Sequence, residues 1–212
     1  MSAEILSIIE TRSIKFLVHF TRSTNLDSIL TLGLVPRANL ERKVRNYSVN
    51  DQSRWDGRTK YNCASISFPN SKMFYSYMQA DKSIKWPILL LRPQVLVEDV
   101  LFCRHNAADA RISSQANADL EGPGAFRNMF QETRGLSSRA DQGLKVCDPT
   151  DVQAEVLLHG TIEPKYIGAV VFPDATIAEI FKGKMGKRAS ALSGRNGLYG
   201  DRTYSRKFGT ER

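Results

Sequence analysis

The sequence is poor in the residues that build metal centres and disulfide frameworks. It has only three cysteines, Cys63, Cys103 and Cys147, widely separated along the chain. No pair has the short spacing of a zinc site, so they read as free thiols of a reducing, cytoplasmic protein without a metal. The three histidines, His19, His105 and His159, are too scattered for a histidine-rich centre. No apolar run reaches the roughly 18–20 residues of a membrane-spanning helix, so no membrane association is expected. The apolar N-terminus (Ile5, Leu6, Ile8, Ile9) is interrupted by Glu4 and Glu10 and lacks a basic flank and a small-residue cleavage site. It is therefore not read as a signal peptide. There is no internal repeat and no GxGxxG dinucleotide fingerprint, and GKMGK near the C-terminus lacks the spacing of a phosphate-binding P-loop.

What is present is an ordinary globular composition. Apolar residues make up 42% and charged residues 25% of 212 positions, which excludes global disorder. The length suits one domain with its own core, with or without a tail. The net charge of +8 is concentrated at the C-terminus, where nine Lys/Arg and two acids fall within residues 182–212 together with six of the 14 glycines. Residues 1–181 are accordingly read as the folded domain and 182–212 as a basic, glycine-rich tail. Such a tail attracts polyanions, and Tyr199, Tyr204 and Phe208 would be available to stack on bases; composition fits a solvated terminus without a ligand equally well.

Hydrophobic patterning predicts strands at 16–20, 64–68, 87–91, 100–103, 152–158 and 167–172. Helices are expected at 25–32, with Gly33 as a stop signal, at 71–80, where Met73, Phe74, Tyr77 and Met78 follow helical spacing, and at 174–181 behind Asp174 as N-cap. Between them lie a polar, basic stretch at 36–61 and a long polar segment at 104–151 with one short helix near 125–132. A connection of that length is usually functional. The sum is a mixed α+β domain with short strands, flanking helices and long loops.

Two stretches carry chemistry. In Asp151-Val152-Gln153-Ala154-Glu155-Val156-Leu157-Leu158, alternation along a strand puts Gln153 and Glu155 on one face. A carboxylate in a segment built for burial needs a reason, since burying it unpaired is costly; an ion pair or an edge position would also supply one. Glu132 and Glu163 lack a buried strand beneath them. The second stretch is His19-Phe20-Thr21 followed by Asn25-Leu26-Asp27-Ser28-Ile29-Leu30 and Gly33-Leu34. A histidine in an apolar strand is, by itself, more often a core residue than a ligand group.

Taken together and in order, HFTxxxNLxSILxxGL, a basic segment with Gln52-Ser53-Arg54, Tyr61 through FPNSKMFYSY, and QAEVLL resemble the DarT family of DNA ADP-ribosyltransferases over about residues 16–172. The resemblance implies an ADP-ribosyltransferase fold with short mixed or antiparallel strands. It also implies NAD+ as co-substrate and transfer of ADP-ribose to a base of single-stranded DNA by the toxin of a toxin–antitoxin pair, countered by a macrodomain hydrolase. By that resemblance Glu155 is the catalytic carboxylate. His19, Phe20, Thr21 and Ser28 hold NAD+, and Arg54 is catalytic and binds the diphosphate. His105, Arg104, Gln153 and Arg58 contact the DNA, and 104–151 is the substrate-recognition element. Arg58 competes with Arg54 for the family's arginine, and Arg54 is preferred. A fixed carboxylate suits the positive, oxocarbenium-like transition state of glycosidic cleavage; a guanidinium suits a diphosphate. The chain departs from thymidine-modifying members in having Asn70-Ser71-Lys72-Met73 and the pattern Asp51-x-x-Arg54-x-Asp56, which favours guanine over thymine. The alternatives are the same chemistry on RNA or protein, and a non-catalytic nucleic-acid-binding module.

Overall fold

The computed structural model describes residues 1–49, 53–96, 99–185, 189–191 and 197–209. Asp51 and Gln52 of the basic segment, and tail residues 186–188, 192–196 and 210–212, lie outside them. The elements in chain order are helix α1 (Ala3–Thr11), strand β1 (Leu17–Phe20), helices α2 (Leu26–Leu32) and α3 (Leu40–Lys43), strand β2 (Tyr61–Ile66), helix α4 (Ser71–Ala80) and strands β3 (Ile88–Leu91) and β4 (Val100–Cys103). There follow helices α5 (Ala110–Ser113) and α6 (Gly122–Asn128), strands β5 (Glu155–His159) and β6 (Ile167–Phe172), helix α7 (Ala175–Met185), strand β7 (Ala189–Ala191) and helix α8 (Arg202–Phe208). They form one seven-stranded sheet in the order β4-β5-β2-β1-β3-β6-β7. Every pairing is antiparallel except β6–β7. The expected mixed α+β architecture is therefore the one observed.

Alternation along β1 sets its register. Leu17 packs into the main core with Leu89, Leu91, Ile66 and Val170, while Val18 and Phe20 face an aromatic cluster of Phe68, Phe74 and Trp86. Each such side chain contributes about 2 kcal/mol on burial. A one-residue slip would exchange both faces and thrust His19 into the wrong layer. β1 pairs with β3 along its whole length, but with β2 only through Leu17–Ile66 and Val18–Ser65. Beyond Val18, β2 follows β5 instead. The sheet parts there, and the gap holds the cavity described below.

Several boundaries differ from the pattern-based expectations. Helix α1 forms at 3–11, where the pattern-based expectations place no element. The buried face is Ile5 and Ile8, at helical spacing, and Ser2 caps the helix by accepting the Ile5 N–H. Strand β2 begins three residues earlier than the apolar run and stops at Ile66, because Ser67 adopts φ of 61° and Phe68 N–H folds back onto the Ile66 carbonyl. Strand β5 begins only at Glu155: the Asp151 side chain accepts the Gln153 N–H, its carbonyl accepts the Ala154 N–H, and residues 151–153 form a turn. Helix α6 starts at Gly122 rather than near 125.

The C-terminal segment is tied to the fold at several points. The expected division at 181/182 falls inside α7, which continues to Met185, and β7 extends the sheet. Tyr199 does not project for stacking. Its hydroxyl shares its proton between the Trp86 and Val171 carbonyls, at 2.6 and 2.9 Å, and its ring lies 5.5 Å from that of Phe74. Burial pushes the Tyr199 phenol far above its ordinary value. Tyr204 and Phe208 are exposed and lean on each other. The basic residues Arg202 and Arg206 find internal partners, which is why a segment of such composition packs at all.

Candidate active site

The parting of β1 and β2 opens a cavity of about 350 Å³. Its walls come from β1, β2, α2, the start of α4, residues in the 37–56 stretch, the 106–108 turn and the first residue of β5. His19, Cys63 and Glu155 lie in it together. Sequence alternation put His19 and Glu155 on strands; only the sheet order brings them to one cavity.

Glu155 is 7% exposed, and its Oε2 accepts the Ala107 N–H at 2.8 Å. A charge-assisted bond of this kind offsets part of the cost of burial. Burial, and then the nearby Glu155 carboxylate, push both neighbouring thiols up: Cys63 well above its ordinary value and Cys103 to about 12. Both thiols stay protonated near neutrality and add no negative charge to that of Glu155.

His19 Nδ1 lies 2.7 Å from the Cys63 carbonyl. A carbonyl only accepts, so Nδ1 carries the proton and Nε2 is left as an acceptor. Burial pushes the imidazole below its ordinary 6.5, against the opposing effect of that hydrogen bond. The ring is therefore neutral at physiological pH. Thr21 is 2% exposed, and its hydroxyl accepts from Asn25 Nδ2 at 3.0 Å. Asn25 also donates to the Ser48 carbonyl and accepts the Ser48 N–H, both at 2.8 Å, which ties the 44–49 segment, part of the cavity lining, to the start of α2. Ser28 Oγ donates to the Asn25 carbonyl at 2.9 Å and lines the cavity. Phe20 borders it too, but its ring stacks on Phe74 at 4.6 Å in the aromatic cluster.

Of the two competing arginines, Arg54 lines the cavity and Arg58 does not. Arg54 has φ of 41°. Its guanidinium grips Asp56 through Nε and Nη2, both at 2.8 Å, and reaches the Tyr61 and Arg58 carbonyls at 3.0 and 2.6 Å. Arg58 turns away to Asn117 and the Gln115 carbonyl.

The DNA-contact expectations fare differently. His105 does not face the cavity: it is 4% exposed, and its Nδ1 lies 2.7 Å from Asp151 Oδ2. It fastens the 105–107 turn to the 151–153 turn, below the bond that Ala107 makes to Glu155. Gln153 sits in the 151–153 turn and does not share a strand face with Glu155, because the strand starts two residues later. Arg104 donates to Thr133 at 2.8 Å within the 104–151 segment. Arg139 is engaged there as well, with the Asp148 and Lys145 carbonyls and Thr150. Arg134 remains exposed on its surface.

Three donors escaped the sequence reading. A second, polar cavity of about 500 Å³ is bounded by Arg22, Arg37, Tyr47, Ser48 and Val49, and the last four of these also line the first cavity. Arg22 Nε and Arg37 Nη1 are buried nitrogens without a hydrogen-bond partner, and so is Asn70 Nδ2 in the wall of the first cavity. Buried donors are normally satisfied; of the eight unpartnered buried side-chain atoms among the described residues, these three line the two cavities, where an acceptor-rich ligand would satisfy them. Arg22 follows the HFT stretch directly, which was a usable signal. Arg37 was one cation among many in a basic segment. Among the described residues no group of three or more His, Cys, Asp or Glu side chains could hold a metal ion, and no helix is long and apolar enough to cross a membrane.

Comparison with known proteins adds independent findings. A search of curated proteins finds no match. Among solved structures, Thermus sp. 2.9 DarT in complex with ADP-ribosylated single-stranded DNA matches with a TM-score of 0.56 and 13% identity, over 88% of this chain and 97% of that one. Thermosipho africanus DarTG in complex with ADP-ribose matches with a TM-score of 0.52 and 18% identity, over 90% of this chain. This chain spans only 51% of that longer protein. At such identities the likeness establishes the shared fold. The family described as the single-stranded-DNA thymidine ADP-ribosyltransferase DarT matches residues 18–197. With most of its length matched, and with His19, Arg54 and Glu155 gathered at one cavity, the chain belongs to the DarT family.

Proposed function

We propose that the protein is an NAD+-dependent ADP-ribosyltransferase, a glycosyl-transfer enzyme that modifies a base of single-stranded DNA. The observation that carries this reading is the convergence of a buried carboxylate, a neutral imidazole and orphaned cationic donors on two adjoining cavities. NAD+ supplies an ADP-ribosyl group whose bond to nicotinamide is already activated by the ring's positive charge. The donor set fits it: Arg37 and Arg22 take the diphosphate, and Asn70 Nδ2 offers a donor on the wall of the first cavity. Arg54 acts chiefly by holding Asp56 and the 54–61 turn in place, with its edge toward the cavity.

Glu155 does the electrostatic work. When the glycosidic bond breaks, its electron pair stays with nicotinamide and positive charge grows at the anomeric carbon. A fixed carboxylate in a water-poor site stabilises that charge without reorganising. The base nitrogen then forms the new bond and releases its proton to solvent. A base edge hidden in a duplex would have to be flipped out, which favours a single-stranded substrate.

We assign guanine as the favoured base over thymine, although the family description carries thymidine. The support is Asn70-Ser71-Lys72-Met73 and the Asp51-x-x-Arg54-x-Asp56 pattern, whose last two members are the bidentate pair at the cavity wall. The same reading makes the protein a cytoplasmic toxin whose partner is a macrodomain hydrolase. The test is mass spectrometry of single-stranded DNA and RNA oligonucleotides differing in one base, incubated with NAD+ and the protein. The expected result is one ADP-ribose added to guanine-containing DNA and none with Glu155→Ala. Equal modification by that variant would overturn the reading. Modification of thymine-only DNA would overturn the base assignment alone.

A further inference from the structure

Helix α8 lies beyond the segment that matches the family, which ends at residue 197. Two of its arginines are nevertheless firmly engaged with the body of the fold. Arg202 is 2% exposed and donates to the Pro149 carbonyl at 2.8 Å and the Thr150 carbonyl at 3.2 Å. Burial pushes its guanidinium down to about 10, a sign of how far it is withdrawn from water. One turn later Arg206 grips Asp148 bidentately, Nε and Nη2 to the two carboxylate oxygens at 2.7 and 2.8 Å. Asp148 is wholly buried. The same carboxylate accepts the Lys145 N–H, and the Arg206 guanidinium also lies 5.2 Å from the Phe68 ring centroid.

Residues 148–150 are the far end of the long polar segment, and the chain runs from them directly to Glu155. Thr150 N–H is bonded to the Met129 carbonyl. Asp151, next in line, holds His105 and builds the turn from which β5 starts. His105 stands two residues before Ala107, whose N–H orients Glu155. The contacts form an unbroken series from α8 through 148–151 and the 105–107 turn to the carboxylate.

We infer that α8 is a strap that fixes the closing end of the 104–151 segment, and that Arg202 and Arg206 are positioning residues for Glu155. This rests on Glu155 being the catalytic carboxylate. Three features distinguish the strap from ordinary surface packing. Its arginines bind loop carbonyls and a loop carboxylate rather than the sheet. Their carbonyl and carboxylate partners, Asp148, Pro149 and Thr150, stand five to seven residues before Glu155. The Arg22–Arg37 cavity touches none of them. Removing the strap should therefore disturb transfer while sparing the binding of NAD+.

The experiment uses the full chain with Arg206→Ala and Arg206→Lys. NAD+ affinity is measured by calorimetry, kcat and KM for transfer to a single-stranded oligonucleotide by mass spectrometry, and amide exchange across 145–155 by hydrogen–deuterium exchange. For Arg206→Ala the expected result is an NAD+ Kd within twofold of wild type, kcat down at least tenfold, and lost protection at Thr150 and Ala154. Arg206→Lys, which keeps the charge but not the bidentate grip, should fall between. Unchanged kcat, or a kcat loss matched by an equal loss of NAD+ affinity, would overturn the inference. If Arg206→Ala does not fold, the same readouts on Arg206→Lys decide it, with the same overturning results. If wild type itself transfers nothing, the functional reading has failed; unchanged exchange across 145–155 would then sink the strap separately.

Discussion

Asn25→Ala is the most informative perturbation outside the carboxylate. Asn25 is 8% exposed and makes three hydrogen bonds, at 3.0 Å to Thr21 and at 2.8 Å to each of the Ser48 carbonyl and N–H. A typical net value is about 1 kcal/mol per bond, so the alanine variant removes about 2 kcal/mol of anchoring from the 44–49 segment, through the two Ser48 bonds. That segment carries Tyr47, Ser48 and Val49, which line both cavities beside Arg37. Ligand that needs the anchored segment sees its affinity reduced by the anchored fraction, and 2 kcal/mol corresponds to at most about thirtyfold. The assay is calorimetric titration with NAD+, paired with hydrogen exchange over 44–49. We expect a Kd at least tenfold weaker and faster exchange at Ser48. Asn25→Asp should fare no better, since a carboxylate cannot donate to the Ser48 carbonyl. A faster-exchanging segment with wild-type NAD+ affinity would refute the reasoning, because the segment would then be no part of the binding site.

Two further outcomes follow from named contacts. Burial lowers the His19 pKa below its ordinary 6.5, so below about pH 6.5 the unfolded chain takes up a proton that the folded one resists. Stability should fall as pH drops from that value toward the folded pKa and then level off, and denaturant titrations of His19→Gln should lack this component; a parallel pH profile would refute it. Gly33 has φ of 90°, and a Cβ there would overlap the Ile162 carbonyl oxygen. Gly33→Ala should cost at least about 2 kcal/mol, lowering the melting temperature by about 4–8 °C, and an unchanged Tm would show that the Leu34–Ile162 bridge yields easily.

The chain's local chemistry was legible where one principle acted alone. The alternation of Leu17-Val18-His19-Phe20, the helical spacing of Met73, Phe74 and Tyr77, and the apolar runs of β3, β4 and β6 follow from side-chain periodicity, and the structure keeps them nearly to the residue. Asp174 was a readable cap, and its side chain accepts the Ile177 N–H. Boundaries failed where a side chain or a strained residue intervened, as with Ser67 after β2 and Asp151 before β5.

By itself, then, the sequence determined the α+β class, the strands bearing His19 and Glu155, and the family's ordered motifs. Tertiary structure decided the rest. The parting of β1 from β2 makes the cavity and chooses Arg54 over Arg58 as its lining residue. Packing elsewhere turns His105 inward to Asp151, and draws Arg202 onto buried carbonyls and Arg206 onto the buried Asp148 carboxylate. The physical reason is that periodicity reports which face of an element is apolar, whereas the partner of a charged group depends on which elements the sheet order brings together. A guanidinium in a glycine-rich, basic stretch looks like a solvated charge until a buried carboxylate such as Asp148, nearly sixty residues away, is placed within 2.7 Å of it.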